Sequence, residues 1–154
     1  MVKQMLKQPS DVPHNLERFV KAQSLCCDRA CRELTAGQKQ THWMWYIFPQ
    51  LRGLGHSATS YEYGIASRSE AEAYAAHPLL GARLRDCTQL VILIQGRSIE
   101  QIFGYPDDLK FRSSMTLFAR TASENDIFLE ALQQYFAGKP DPLTIRLLAE
   151  SASH

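Results

Sequence analysis

An all-α fold is predicted by three features of this sequence. Apolar residues recur at helical spacing through most of the chain, caps and glycines interrupt that pattern at helix-length intervals, and no segment offers another a convincing strand partner. The densest apolar stretch is the run Trp43-Met44-Trp45-Tyr46-Ile47-Phe48, six large side chains without an amphipathic period. A segment apolar on every side is expected to be buried on every side. The run therefore reads as the buried aromatic central helix of a single compact multi-helix domain. Periodicity alone does not separate helix from buried strand over so short a run, but the lack of strand partners and the terminating Pro49 favour helix.

Residues 1–12 carry no periodic pattern and contain Pro9 and Ser10, so a flexible N-terminal tail is expected over 1–12 and one domain over 13–150. Asn15 caps a first helix that places Leu16, Phe19, Val20 and Gln23 on one face. Ser24 marks a break, and a second helical piece carries Cys27, Ala30, Cys31 and Leu34 until Gly37 stops it. After the aromatic run, Gln50 to His56 with Gly53 and Gly55 reads as a loop. Ser57 then caps a helix bearing Ala58, Tyr61 and Ile65, and Ser67 or Ser69 caps the next, Glu70 to Ala76. His77-Pro78 ends that one and opens another, in which Leu80, Leu84, Cys87, Val91 and Ile94 step by helical intervals.

Gln95-Gly96 closes this helix, and Ser98 with Gln101 forms a capping box for a short helix reaching Phe103 and Gly104. Pro106 opens a helix from Asp107 to about Thr121. At about 100° per residue, Phe111, Met115 and Phe118 form one apolar arc and Leu109 and Leu117 another, leaving a strip near Asp108, Arg112 and Ala119 for water. Lys110, Ser113, Ser114 and Thr116 then fall on or beside buried surface, where polar groups need partners. Asn125 begins a helix through Phe128, Leu132 and Phe136 that Gly138 ends, and Asp141-Pro142 starts the last, through Leu148.

The totals narrow the function. A chain of 154 residues fits one domain and buries roughly 70% of its unfolded surface. A formal charge of +1 provides no electrostatic footprint for nucleic acid or an anionic membrane surface. No signal-peptide core is evident at the start, and no run approaches the roughly 18 apolar residues of a membrane span, so a cytoplasmic protein is expected. Cys26, Cys27, Cys31 and Cys87 are read as small core residues, since no Cys-x-x-Cys pair or nearby histidine completes a metal site. Neither metal nor cofactor is expected.

The run His42-Trp43-Met44-Trp45-Tyr46-Ile47-Phe48-Pro49-Gln50-Leu51-Arg52-Gly53-Leu54-Gly55 resembles the signature of a small, mostly bacterial family of compact all-α proteins. That family is classed as a domain of unknown function and is sometimes mislabelled calpastatin. Further matching stretches are Leu16 to Gln23, His77 to Leu84, Ile102-Phe103-Gly104, and Asp107 with Lys110 to Phe118. The resemblance covers nearly the whole chain and implies a fold; it implies no established activity, cofactor or catalytic residue.

Candidate chemistry comes from the residues themselves. His42 is the candidate catalytic residue, since an imidazole of pKa about 6.5 can act as a general base near neutral pH. Gln50 and Arg52 lead through two glycines to the helix start at Ser57, where free N–H groups and a guanidinium suit an anion. Asp107, Lys110, Ser113 and Ser114 form the second group, with hydroxyls that sacrifice helix propensity. Neither a P-loop nor a Gly-x-Ser-x-Gly elbow is present. Two readings follow: one pocket between the 42–55 and 107–116 segments for a small anionic or nucleotide-like metabolite, or a non-catalytic interaction module whose signature residues are structural.

Overall fold

In the computed structural model, which describes residues 14–152, the helical periodicities become nine α-helices among the described residues. They are α1 (Glu17–Ala36), α2 (Met44–Ile47), α3 (Ala58–Glu62), α4 (Arg68–Ala76), α5 (Leu80–Leu93), α6 (Ile99–Phe103), α7 (Asp107–Thr121), α8 (Asp126–Phe136) and α9 (Pro142–Ala152). The β structure among these residues is one isolated parallel bridge between Leu51 and Ile65. The tail expected over 1–12 lies outside the described residues.

The first helix differs from expectation at two points. Its N-cap is Leu16, without a side-chain cap, and Asn15 contributes its carbonyl to the Arg18 guanidinium instead. Ser24 does not break it. The Ser24 hydroxyl turns back to the Lys21 carbonyl at 2.6 Å, a local bond that leaves the helical ladder intact. The inward stripe of α1 is Phe19, Gln23, Ala30, Glu33 and Leu34. Cys26, Cys27 and Cys31, expected in the core, flank that stripe and are only partly buried, whereas Cys87 is buried.

The aromatic run forms a single helical turn, α2. Met44, Ile47 and Phe48 point inward at i, i+3 and i+4, each 1% exposed. Trp45 and Tyr46 lie on the opposite side and stay partly exposed, so the run is not buried on every side. Trp43, just before the turn, is fully buried. The next helix is shorter than its pattern suggested, because Ile65 leaves it to pair with Leu51. Ile65 N donates to Gln50 O at 2.9 Å, and Arg52 N to Ile65 O at 2.8 Å. Gly64 permits this approach, since a Cβ there would sit 2.8 Å from the Arg52 Cα.

The long buried element is α7, which packs against α4, α6, α8 and α9. From Phe111 to Ala119 every residue except Arg112 is buried. The expected water-facing strip is correct at Arg112 and wrong at Ala119, while Leu109 is 46% exposed because it precedes the packed turns. Phe111 links the two halves of the core, stacking on Phe103 at 4.9 Å and meeting Phe48 edge-on at 5.0 Å.

Gln23 and Glu33, polar side chains buried with this core, are paired. Gln23, 1% exposed, donates to the Tyr46 carbonyl and the Tyr74 hydroxyl. Glu33 accepts from Gln40 N, Thr41 N, Thr41 Oγ1 and Trp43 Nε1 at 2.6–3.1 Å. Burial alone would raise the Glu33 pKa, but these bonds together outweigh it and bring it from 4.5 down to about 2. Because the folded-state value is the lower one, the charge stabilises the fold above the unfolded pKa, and that contribution is lost as pH falls through the folded value.

Two outcomes follow from this packing. In urea unfolding, Trp43→Ala should cost about 3–5 kcal/mol, because the indole is fully enclosed and also satisfies Glu33. Trp45→Ala should cost clearly less; equal losses would contradict the assignment of faces. The second outcome concerns acid. Wild-type stability should fall between pH 4.5 and 2, and Glu33→Gln should be less stable near neutrality with a flatter slope over that interval. An unchanged slope in the variant would move the acid sensitivity to another group.

Candidate functional site

The two signature segments meet at the start of α7. Asp107, Lys110 and Ser114 fall within about 60° of one another on the helix, so they share one face. Trp45 joins them from α2. The Lys110 Nζ lies 4.4 Å from the centre of a Trp45 ring and 3.4 Å from Asp107 Oδ1. Asp107 has a second and closer cation, with Lys39 Nζ at 2.8 Å from its Oδ2, and Lys39 in turn lies 5.4 Å from a Trp43 ring centre. Two ammonium groups thus share one carboxylate, which leaves one positive charge in excess. Lys39 is the enclosed member, with its side chain 8% exposed, and Lys110 is the accessible one at 24%.

Among the described residues, two buried side-chain polar atoms lack a hydrogen-bond partner: Trp45 Nε1 and Ser114 Oγ. Other buried helical hydroxyls nearby turn back to the carbonyl four residues earlier. Ser113 bonds to Leu109 O, Thr116 to Arg112 O and Thr121 to Leu117 O. Ser114, fully buried, does not. An unpaired buried hydroxyl costs on the order of 1–3 kcal/mol, so its retention calls for an explanation. Among the described residues, no histidine or carboxylate is hydrogen-bonded to Ser114.

The remaining candidates have other places. Ser113 also reaches Asp141 Oδ2 at 3.4 Å, and Asp141 caps α9 by accepting from Thr144 N and Oγ1, so this hydroxyl helps anchor α9. Ser57 caps α3 by accepting from Ser60 N at 3.0 Å. Gln50 is buried, with its carbonyl in the bridge to Ile65. His42 is exposed, next to the enclosed Trp43. Arg52 lines a cleft of about 480 Å³ together with His14, Arg18, Tyr61, Glu62 and Glu70, and neither Asp107 nor Lys110 borders that cleft.

The sequence reading missed Trp45 as a polar contributor, because its indole N–H was counted with the apolar core. It also missed Lys39, which lies in a loop ahead of the aromatic run and meets Asp107 only through tertiary folding. Arg18 and Glu70 of the cleft carried no spacing signal either, being 52 residues apart and paired at 2.9 Å.

None of the curated proteins compared matches the chain. Among solved structures, the conserved hypothetical protein Rv1873 from Mycobacterium tuberculosis, determined at 1.38 Å, is similar at 55% identity with a TM-score of 0.88. The likeness covers 89% of this chain and 98% of that one. The family described as "Protein of unknown function (DUF1810)" matches residues 13–148. That match spans most of the sequence and includes both signature segments, and the chain therefore belongs to the DUF1810 family of proteins of unknown function.

Proposed function

We propose that the protein binds a small anionic or nucleotide-like metabolite where the 42–55 and 107–116 segments meet. Lys110 provides the charge, and Trp45 Nε1 and Ser114 Oγ provide neutral donors. The observation that supports this reading is that the two unpartnered buried atoms belong one to each segment, and that Trp45 carries Lys110, a lysine with excess positive charge, over its ring. An acceptor-rich group would satisfy both, since buried donors want partners. The Lys110 side chain, long and partly exposed over the indole, is the part that moves to admit it.

A thermal-shift series with nucleotides and sugar phosphates tests this. A ligand present at about one hundred times its dissociation constant adds about 2.7 kcal/mol of stability, readily seen as a raised Tm. Lys110→Met should reduce the shift and leave the free protein folded. Ser114→Ala should weaken binding while leaving the free protein as stable or slightly more so, because it removes an unpaired hydroxyl. Binding should also alter the emission of Trp45, and Trp45→Phe should remove that change. Absence of any shift, or a Lys110→Met variant as unstable as a core truncation, would count against the site.

The interaction-module reading has an observation of its own, the exposure of Tyr105 and Leu109 at 73% and 46%, four residues apart beside Lys110. Concentration-dependent association abolished by Leu109→Asp, with no ligand shift, would favour it.

A further inference from the structure

Two arginines line the 480 Å³ cleft, and the structure uses them differently. Arg18 is saturated. Its Nε donates to Glu62 O, its Nη1 to Asn15 O and Glu70 Oε2, and its Nη2 to Gly64 O. Glu70 is likewise engaged, accepting from Ala66 N as well as from Arg18, so this pair forms the frame of the cleft and carries no net charge. Arg52 is held by one bond, Nε to Tyr61 O at 2.8 Å, with its guanidinium carbon 4.3 Å from the Tyr61 ring centre.

Its Nη1 and Nη2 have no hydrogen-bond partner among the described residues, and no carboxylate among them lies within ion-pair distance of Arg52. The backbone of Arg52 is fixed by the bridge to Ile65 and by the close approach of Gly64. A guanidinium immobilised through Nε and open along its outer edge is set up for a two-point contact with an oxyanion. Tyr61 has one ring face under that guanidinium and, at 65% exposure, leaves the rest of its ring as apolar surface beside the fork. The volume lies within the range of small-molecule sites and far exceeds what a bare inorganic anion needs.

We infer that this cleft is a second ligand site, separate from the Lys110 corner, which takes an oxyanion carried on a planar organic body: the anion on the Arg52 fork and the ring against Tyr61. Glu62, exposed at the rim, opposes the charge of such a ligand.

The test is a ¹⁵N NMR titration of the full chain, reading the backbone of residues 50–66 and the Arg52 Nε–H signal, with AMP, benzoate and inorganic phosphate as probes. AMP or benzoate should shift these signals with saturation, and inorganic phosphate should bind more weakly. Arg52→Met, checked for native helicity, should weaken binding by roughly tenfold or more, the loss expected for charge-assisted hydrogen bonds. Arg52→Lys should fall between, keeping the charge without the fork. Glu62→Gln should tighten binding, a gain that a purely structural role would not produce. Unperturbed signals with all three probes, or affinity unaltered by Arg52→Met, would overturn the proposal. Equal affinity for all three would overturn the role of Tyr61 as a ring platform.

Discussion

Much of this fold depends on one buried carboxylate. Glu33, near the end of α1, gathers the backbone N–H groups of Gln40 and Thr41, the Thr41 hydroxyl and the Trp43 indole. An uncompensated buried charge would cost several kcal/mol, whereas one that receives four donors becomes a fixed point of the structure. It draws the 38–43 loop against α1 and seats Trp43 where Phe48 and Phe103 meet it. The direction in which the chain enters α2 follows from that, and so does the face that α2 turns inward.

Around this point the core is organised on α7 rather than on the aromatic run. A helix enclosed on nearly every side must satisfy its hydroxyls internally, and Ser113, Thr116 and Thr121 do so by bonding to the preceding turn. Two of them also serve the neighbouring helix. Ser113 reaches the Asp141 carboxylate, and Thr116 accepts from Asp141 N at 2.8 Å, which secures the start of α9. Arg112, the polar exception on this helix, donates to the carbonyls of Lys139 and Pro140 and so holds the turn before α9. Against this consistent pattern Ser114 stands apart, and that contrast gives its free hydroxyl meaning.

The charged side chains divide in the same way. Arg18 and Lys39 are enclosed and matched by Glu70 and Asp107, and they hold helices together. Arg52 and Lys110 lie nearer the solvent, each beside an aromatic ring, with donor capacity that the protein leaves open. An ammonium on a flexible stem suits a site that reorganises, and an anchored guanidinium suits one already formed. The cleft that Arg52 lines is bordered by neither Asp107 nor Lys110, so these cations sit in distinct polar environments.

What the sequence determined by itself was local. The caps at Ser57, Ser67 and Ser98, the stop at Gly37 and the helix opening after Pro106 are written in a few adjacent residues, because capping and chain reversal are satisfied within one turn. The polarity of the 107–116 segment beside a buried face was legible for the same reason. Tertiary structure decided what depends on distant partners: Ile65 leaves its helix to bridge Leu51, Lys39 takes Asp107, and Lys110 rests on Trp45. It also decided the orientation of Trp45 and Tyr46, since six apolar residues do not say which of them will find a neighbouring helix. A helical period ranks the faces of a segment, but only the packed neighbours determine how many of those faces are covered.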